Sequence, residues 1–312
     1  MAVYRPGTRE QTEALEAFVE AGLLIPTGAP GVYGRAGALE DVRLRFEALV
    51  RRIGEADGAE PVAFPPIVPR RNVEEIGYLK SFPHLLGTIF SFDGDESEAA
   101  ELQERAEQHE DWSDLQSMTD LVLLPAACYP IYPAVAARGR LPEGGVSIDA
   151  GGTYVFRREP SGDPARLQIF HQREMVRIGE PDAVASWRDM WRDRAVVLLR
   201  GLGLDANFDV ASDPFFGRSG KMLGENQREQ ALKFEVQVPI AGDEPTAVAS
   251  FNYHQGHFAT VFGLETADGG VAHSACLGFG EERITMALFQ THGFQVDAWP
   301  AEVRAQLWGS AA

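Results

Sequence analysis

Apolar residues recur every three to four positions in two stretches near the start of the chain, and this spacing predicts two amphipathic helices. The first covers residues 9–22 and is followed by a segment rich in Gly and Pro. The second covers residues 38–56, with arginines on the side opposite the apolar positions. Residues 1–60 are therefore predicted to form a helical N-terminal segment.

Later in the chain the apolar pattern shortens and predicts mainly strands. Strands are predicted at 121–124, 153–157, 167–178, 233–240, 246–253, 258–264 and 271–277. Helices are predicted at 96–114, 182–202, 219–231 and 282–290. Strands that follow one another through short connections predict an antiparallel sheet flanked by helices. We expect one α+β domain over residues 1–312.

The charge balance limits the kinds of partner. The 312 residues carry a formal net charge of −18 and a pI near 4.8, which argues against broad binding to nucleic acid or to anionic membranes. The first residues show no apolar core of a secretory signal, and prolines interrupt the longest uncharged stretch, 121–137. A soluble cytoplasmic protein is the expectation.

One short stretch is unusual in so acidic a chain. Residues 156–179, FRREPSGDPARLQIFHQREMVRIG, concentrate arginines on both sides of a turn-forming centre. Guanidinium groups can bind phosphates, a carboxylate can bind a base amine and an aromatic ring can stack on a base. The stretch is thus either a nucleotide clamp or an exposed hairpin with weak surface ion pairs.

Several common motifs are absent. Residues 217–221 lack the spacing of a P-loop, and 278–280 lack the third glycine of a dinucleotide fingerprint. No Gly-x-Ser-x-Gly nucleophile elbow occurs. His254 and His257 could form a metal pair, but a strand-like setting favours a structural role for them.

Three segments in the correct order resemble the motifs of class II aminoacyl-tRNA synthetases. Pro65-Pro66 after a long helix resembles motif 1, the dimer-forming motif. Phe156-Arg-Arg-Glu159 through Arg166-x3-Phe170 resembles motif 2, and Gly278-Phe-Gly-Glu-Glu-Arg283 resembles motif 3. The resemblance implies an antiparallel sheet flanked by helices and a homodimer.

A closer resemblance covers roughly residues 60–295. Segments around two cysteines and one glutamate resemble the zinc-binding core of the seryl-tRNA synthetases of methanogens: Ala127-Cys-Tyr-Pro130, Phe170-His-Gln-Arg-Glu174 and His273-Ser-Ala-Cys276. Together with Lys233-Phe-Glu235 and Ser250-Phe-Asn-Tyr-His254, they are similar to truncated relatives, the amino acid:carrier-protein ligases.

This resemblance implies Cys128, Glu174 and Cys276 as zinc ligands. Two thiolates and a carboxylate leave the fourth zinc position open, as in a catalytic site. In the family, the amino group of the substrate takes that position. The alternative for two lone cysteines is a role as small buried apolar residues.

The resemblance also implies the nucleotide contacts. Arg157 would hold the α-phosphate and the amino-acid carboxylate, with Glu159 at the adenine end and Phe170 stacked on adenine. Arg157 and Arg283 would be the catalytic residues, since positioning and charge neutralisation carry this chemistry.

The remaining implied residues concern the triphosphate and its metal ion. Arg166 and Arg283 would bind the terminal phosphates of a bent ATP. Glu235, with Asn252 or Ser250, would coordinate Mg²⁺.

The implied activity is ATP-dependent activation of glycine or alanine, followed by transfer to the phosphopantetheine thiol of a carrier protein. Carrier proteins are usually acidic, so a basic docking surface is required. The candidates are the insertion 205–232, which holds Phe215-Phe-Gly-Arg-Ser-Gly-Lys221 through Arg228, and the pair Arg70-Arg71.

Two other readings stay open. A truncated seryl-type tRNA synthetase is disfavoured by the acidic charge and by the absence of a basic tRNA-binding appendage ahead of motif 1. A non-catalytic synthetase-like regulator would have no need for the complete set of phosphate-binding side chains.

Overall fold

A computed structural model of the protein describes residues 4–242 and 244–309. Its helices alternate with strands along the whole chain. The helices are α1 (Arg9–Glu20), α2 (Ala38–Ala56), α3 (Arg70–Glu75), α4 (Tyr78–Ser81), α5 (Glu96–Glu107), α6 (Ile131–Ala136), α7 (Pro181–Gly201), α8 (Gly217–Glu229), α9 (His257–Phe262), α10 (Glu281–His292) and α11 (Ala301–Trp308).

The strands form one large sheet and two small ones. They are β1 (Leu24–Pro26), β2 (Tyr33–Arg35), β3 (Glu60–Val62), β4 (Ile67–Pro69), β5 (Thr88–Ser91), β6 (Ser117–Leu123), β7 (Val146–Phe156), β8 (Ile169–Gly179), β9 (Asn207–Val210), β10 (Lys233–Pro239), β11 (Pro245–Gln255) and β12 (His273–Gly280). The seven-stranded main sheet has the order β3-β7-β8-β12-β11-β10-β9. All its neighbours are antiparallel except β3 and β7, which are parallel. A three-stranded sheet has the order β4-β6-β5, and β1 pairs with β2.

Helices cover both faces of the main sheet. On the back face, α1, α2, α7, α10 and α11 pack against alternate strand residues that include Met175, Leu277 and Phe279. On the front face, the face that carries Glu174 and Cys276, α6 and α9 contribute to a second apolar cluster. Because β8 is covered on both faces, its residues are almost all buried. Polar side chains in the middle of such a sheet are therefore held in fixed surroundings.

Local sequence signals explain where several helices begin. Thr8 caps α1 and Asp95 caps α5, each in a capping box with the residue three positions later. Pro181 occupies the first turn of α7. The acidic helix predicted at 96–114 forms, but it ends at Glu107.

The strand prediction at 258–264 is wrong, because this segment forms the helix α9. Phe258 stacks on Tyr132 of α6, with ring centroids 3.8 Å apart, and this contact needs the helical conformation. Gly263 ends the helix in the left-handed region, with φ at 67°. A short run of apolar and β-branched residues fits either structure, and tertiary packing decided between them.

Other features extend the sequence-based picture. Helices α6 and α11 were not predicted, and β7 begins at Val146, seven residues before its predicted start. Within residues 4–242 and 244–309, no helix combines the length and the apolarity that crossing a bilayer requires.

Candidate active site

The front face of the main sheet gathers polar side chains from four neighbouring strands. Side chains alternate between faces along a strand, so residues opposite each other in register share a face. Glu174 of β8 lies opposite Gly278 of β12, and Cys276 of β12 lies opposite Asn252 of β11. Residues far apart in the sequence thus meet on one face of the sheet.

Cys128, Glu174 and Cys276 form a compact buried group. Their sulfur and carboxylate atoms all lie within 4.8 Å of one another. Cys128 comes from the turn between β6 and α6, and its backbone N–H donates a hydrogen bond to the Glu174 carboxylate. Within the described part of the chain, this is the one cluster of three such residues close enough to hold a metal ion together. The predicted ligand set is therefore assembled in space.

The three groups shift one another's protonation. Burial and the nearby Cys276 raise the pKa of Glu174 to about 8. Burial and the same neighbour raise the pKa of the Cys128 thiol well above its ordinary value. A hydrogen bond from Cys128 lowers the pKa of Cys276 well below its ordinary value. The raised pKa values of Glu174 and Cys128 mean that ionising these two groups beside Cys276 is unfavourable without a cation.

A divalent cation fits these residues on chemical grounds. Two sulfurs and one carboxylate are a donor set that zinc accepts, and three protein ligands leave one position for a substrate. Space around the carboxylate depends on Gly278, because a Cβ there would lie 2.9 Å from Glu174 Oε1 and 2.8 Å from Gln172 Nε2. The sheet thus leaves room for two polar side chains beside the cluster.

Two further polar groups touch Cys276. The amide of Asn252 and the Nε2 atom of His254 each lie 3.5 Å from its sulfur. The His254 ring also contacts Ser274 Oγ at 3.1 Å and Tyr132 at 3.4 Å, both through Nδ1. His254 was predicted to be structural, and its spacing to His257 gave no sign of a contact with a cysteine across the sheet. His257 instead contacts the backbone carbonyl of Ile76.

The arginines of the motif 2 and motif 3 segments lie beside this cluster. Arg157 follows β7 directly, and its Nε donates to the carbonyl of Pro125 at 3.4 Å. Its positive charge acts on the pKa values of both Glu174 and Arg283. Arg157 is therefore close enough for its charge to act both on the Cys128–Glu174–Cys276 cluster and on the start of α10.

Arg283 is half-buried at the start of α10, and two backbone carbonyls hold it. Its Nε donates to Ala165 at 2.6 Å and its Nη1 to Ala247 at 2.7 Å. Its guanidinium lies 6.0 Å from the centre of the Phe170 ring. Burial, together with the charges of Arg166 and Arg157, lowers the pKa of Arg283 to about 10. A cluster of like charges without enough carboxylates is suited to binding a polyanion.

An open cavity of about 230 Å³ lies between the motif 2 loop and the N-terminal segment. Its lining residues are Arg5, His84, Arg158, Glu159, Pro160, Ser161 and Arg166. Glu159 and Arg166 were predicted as site residues, whereas Arg5, His84 and Arg158 were not. Arg5 reaches the loop because its backbone pairs with Ser161 as an isolated bridge. No local sequence signal connects residue 5 with residue 161.

Glu235 and Ser250 lie opposite each other in register on β10 and β11, on the front face of the sheet. Glu235 pairs with Lys233 at 2.9 Å, and Lys233 also pairs with Asp213 at 2.6 Å. Asn252 lies opposite Cys276, and its amide contacts the Cys276 sulfur. No sequence pattern predicts the contact between Lys233 and Asp213.

A buried ionic network supports Arg283 from behind the sheet. Glu281 and Glu282 open α10, and they pair with Arg43 and Arg35, the latter at 3.0 Å. Glu282 also accepts hydrogen bonds from the backbone N–H of His171 at 2.8 and 3.0 Å. The glutamates of the motif 3 segment therefore fasten the start of the helix to α2, β2 and β8.

The insertion 205–232 contains β9 and α8. Gly220 and Gly224 form the inner side of α8, where a Cβ at Gly220 would lie 2.6 Å from the backbone of Phe215. The outer side exposes Phe216 and Met222, at 55% and 71% of their full area. Arg218, Lys221 and Arg228 are exposed on the same helix. The second docking candidate, Arg70-Arg71, has less charge available for a partner, since Arg70 pairs with Glu74.

No protein-family model matches the chain. It is 47% identical over 278 residues to amino acid–(acyl-carrier-protein) ligase 1 of Bradyrhizobium diazoefficiens, covering 89% of this chain and 85% of that protein. It is 27% identical over 280 residues to the type-2 serine–tRNA ligase of Methanopyrus kandleri, covering 82% of this chain and 52% of that enzyme.

A solved structure gives the same picture of the fold. The M. kandleri SerRS, crystallised with A. aeolicus tRNASec, superimposes with a TM-score of 0.80 at 20% identity, over 94% of this chain and 60% of that one. The predicted class II synthetase fold, an antiparallel-rich sheet flanked by helices, is confirmed.

Proposed function

Since the chain belongs to the amino acid–(acyl-carrier-protein) ligase family, we propose that it activates a small amino acid, glycine or alanine, with ATP and transfers it to a carrier protein. The chain is thus a ligase, as the sequence predicted. One observation carries the detailed proposal. The cluster of Cys128, Glu174 and Cys276 lies near Arg157, whose charge acts on both Glu174 and Arg283.

In the first step, a carboxylate oxygen of the amino acid attacks the α-phosphorus of ATP, and pyrophosphate leaves. No general base is needed, because the attacking carboxylate is already ionised. Arg157 holds the α-phosphate and the amino-acid carboxylate together. Arg166 and Arg283 neutralise the β- and γ-phosphates, so the leaving group is stabilised before the bond breaks.

The adenine end of ATP lies toward the motif 2 loop. Phe170 stacks on the base, and Glu159 accepts a hydrogen bond from the adenine amine. Support comes from the half-buried Phe170 ring beside Arg283 and from the cavity that Glu159 lines. Glu235 and Ser250 would provide oxygens for Mg²⁺, since they lie opposite each other on the same face of the sheet. Asn252 serves the amino-acid side instead, because its amide contacts Cys276.

Cys128, Glu174 and Cys276 would hold zinc, which would supply a Lewis-acidic position for the substrate amino group. Asn252, His254 and Tyr132 enclose the same region, and two of them contact Cys276 directly. A crowded surrounding of this kind favours an amino acid with little or no side chain.

In the second step, the phosphopantetheine thiol attacks the carbonyl carbon of the aminoacyl-adenylate. A thioester forms, AMP leaves, and the thiol proton passes to solvent. The carrier docks on the outer side of α8, which combines the apolar Phe216 and Met222 with Arg218 and Lys221. An acidic carrier complements this basic and apolar surface.

We place a homodimer contact at the motif 1 region. Pro65-Pro66 leads into β4 of the small sheet, where the neighbouring strands β5 and β6 expose Phe90 and Met118 opposite each other. Exposed apolar pairs of this kind are covered in stable dimers. Light scattering on the intact chain tests the dimer, and a monomeric mass at micromolar concentration contradicts it.

The experiment for the whole proposal combines metal analysis, pyrophosphate exchange and transfer. The purified chain is expected to contain about one zinc per subunit and to exchange pyrophosphate into ATP only with a small amino acid. Labelled amino acid should then pass to holo-carrier protein and not to the apo form. Efficient charging of tRNA without transfer to any holo-carrier would refute the proposal.

A further inference from the structure

Helix α8 is joined to the nucleotide side of the site by a short chain of hydrogen bonds. Gln227 of α8 makes two bonds with one residue: its Oε1 accepts from the backbone N–H of Asp213 at 2.7 Å, and its Nε2 donates to Asp213 Oδ2 at 2.9 Å. The other carboxylate oxygen of Asp213 accepts from Lys233 at 2.6 Å. Lys233 in turn pairs with Glu235 at 2.9 Å. Each of these contacts uses a different polar atom, except that the Lys233 ammonium takes part in two of them. An ammonium has three N–H donors and can make both contacts at once.

The chain of contacts is shielded from solvent at its centre. Lys233 is buried, with 7% of its side chain exposed, and it lies on the front face next to Glu235. Although burial opposes its charge, Asp213 and Glu235 keep the pKa of Lys233 above its ordinary value. An ion pair in such surroundings is held rigidly, because breaking it leaves an uncompensated buried charge.

The inner side of α8 also makes its position discrete. Gly220, Gly224 and Gln227 follow at helical spacing, and the two glycines are buried against the 212–215 segment. Phe215, the last residue of this segment, also stacks on Phe82, with ring centroids 5.1 Å apart. A shift of α8 therefore moves Asp213, and Asp213 moves Lys233.

We propose that Gln227, Asp213 and Lys233 are positioning residues that couple carrier docking on α8 to the ATP-binding residue Glu235. This inference rests on the proposed function. A carrier that presses α8 against the sheet fixes Asp213 and Lys233, and the carboxylate of Glu235 is then held in one orientation for Mg²⁺-bound ATP. Because coupling between two binding sites is reciprocal, bound ATP strengthens carrier docking to the same extent.

Apo-carrier protein, which lacks the phosphopantetheine arm and cannot be charged, is the probe. In the wild-type chain, saturating apo-carrier is expected to lower the KM for ATP in pyrophosphate exchange by about five-fold. Gln227→Leu keeps the volume but removes both hydrogen bonds to Asp213, so this shift should disappear while exchange without carrier stays near the wild-type rate. Asn226→Leu, an exposed neighbour on the same helix, is the matched control and should retain the shift.

Direct binding of apo-carrier to each variant separates coupling from docking. Retention of carrier binding by Gln227→Leu, with loss of the shift, supports the relay. The relay is overturned if Gln227→Leu loses both carrier binding and the KM shift, or if it keeps the full KM shift. Should Gln227→Leu not fold, Gln227→Ala repeats the test. A wild-type chain that exchanges pyrophosphate and charges holo-carrier, yet shows no shift with apo-carrier, refutes the relay alone. A wild-type chain without exchange for any amino acid refutes the proposed function as well.

Discussion

The guanidinium of Arg283 and the ring of Phe170 face each other across 6.0 Å, although the residues come from the motif 3 helix and the motif 2 strand. Two backbone carbonyls, of Ala165 and Ala247, hold two nitrogens of Arg283 and leave Nη2 free to reach a ligand. A planar guanidinium group held in this way can neutralise phosphate charge without reorganising during the reaction.

Arg283→Lys is expected to reduce amino-acid-dependent pyrophosphate exchange by about 100-fold or more, close to the effect of Arg283→Ala. A single ammonium cannot keep both carbonyl contacts and still reach a phosphate. Exchange rates and near-ultraviolet circular dichroism check the loss and the intact fold. Arg140→Lys, at an exposed pair with Glu265, is the control. A lysine variant that keeps most of the activity contradicts the bidentate role.

Replacing a predicted zinc ligand should remove the metal. Cys128→Ser, Cys276→Ser and Glu174→Ala each take away one of the three donor atoms, and the two cysteines are the only ones in the chain. Metal content per chain, measured by mass spectrometry, is expected to fall from about one to near zero. His257→Ala should keep the zinc, since that ring contacts a backbone carbonyl. Full zinc content in Cys276→Ser rules out the assignment.

Two glycines of α8 should respond to alanine in opposite ways. A Cβ at Gly220 would meet the Phe215 backbone at 2.6 Å, so Gly220→Ala has to displace the helix and is expected to cost about 1–3 kcal/mol of unfolding free energy. A Cβ at Gly224 would lie 3.4 Å from Ser212, which is an ordinary contact. Gly224→Ala should therefore gain about 0.5–1 kcal/mol from helix propensity. Urea unfolding of both variants provides the comparison.

The same pair of variants tests the docking helix. Gly220→Ala should slow transfer to holo-carrier by about ten-fold, because it displaces the docking surface on α8. Gly224→Ala should transfer at the wild-type rate. Equal transfer rates in the two variants would show that transfer to the carrier does not depend on the position of α8.

Much of this fold was predictable because periodic patterns and motif order survive in the linear sequence. The helices α2 and α7 and the strands β8 and β10 form close to the predicted positions. The ligand set of Cys128, Glu174 and Cys276 was predicted from a family resemblance, and its assembly depends on strand register. The strand prediction at 258–264 was wrong because local pattern does not distinguish a short apolar helix from a strand.

The missed site residues share one physical reason. Arg5 reaches the motif 2 loop through an isolated backbone bridge, and His254 meets Cys276 next to an irregular β11–β12 pairing. Lys233 and Asp213 meet because α8 folds the insertion back onto the sheet. Such contacts are made by tertiary packing between segments that carry no common pattern, so spacing in the sequence does not reveal them.

Glu281 should make the stability of the protein fall as pH rises toward 8. Burial, with Glu47 close by and Arg43 only partly compensating, raises the pKa of Glu281 to about 8 from an ordinary value of 4.5. Between these two values the folded chain binds a proton that the unfolded chain has lost. The contribution of Glu281 to the unfolding free energy is therefore at its full value below about pH 4.5 and is lost progressively up to about pH 8. Its Oε1 has no hydrogen-bond partner among the residues the structure describes, which further disfavours the ionised form.

Glu281→Gln keeps the shape of the side chain and removes its titration. From pH 6 to pH 8, the unfolding free energy of the wild-type chain should fall by about 1–3 kcal/mol more than that of the variant. Guanidinium or urea unfolding of both proteins at the two pH values measures this difference. The titration of all other groups is common to both proteins and cancels in the comparison. If Glu281 is instead ionised and paired with Arg43 across this range, the variant is less stable by the same amount at both pH values, and the two pH profiles run parallel.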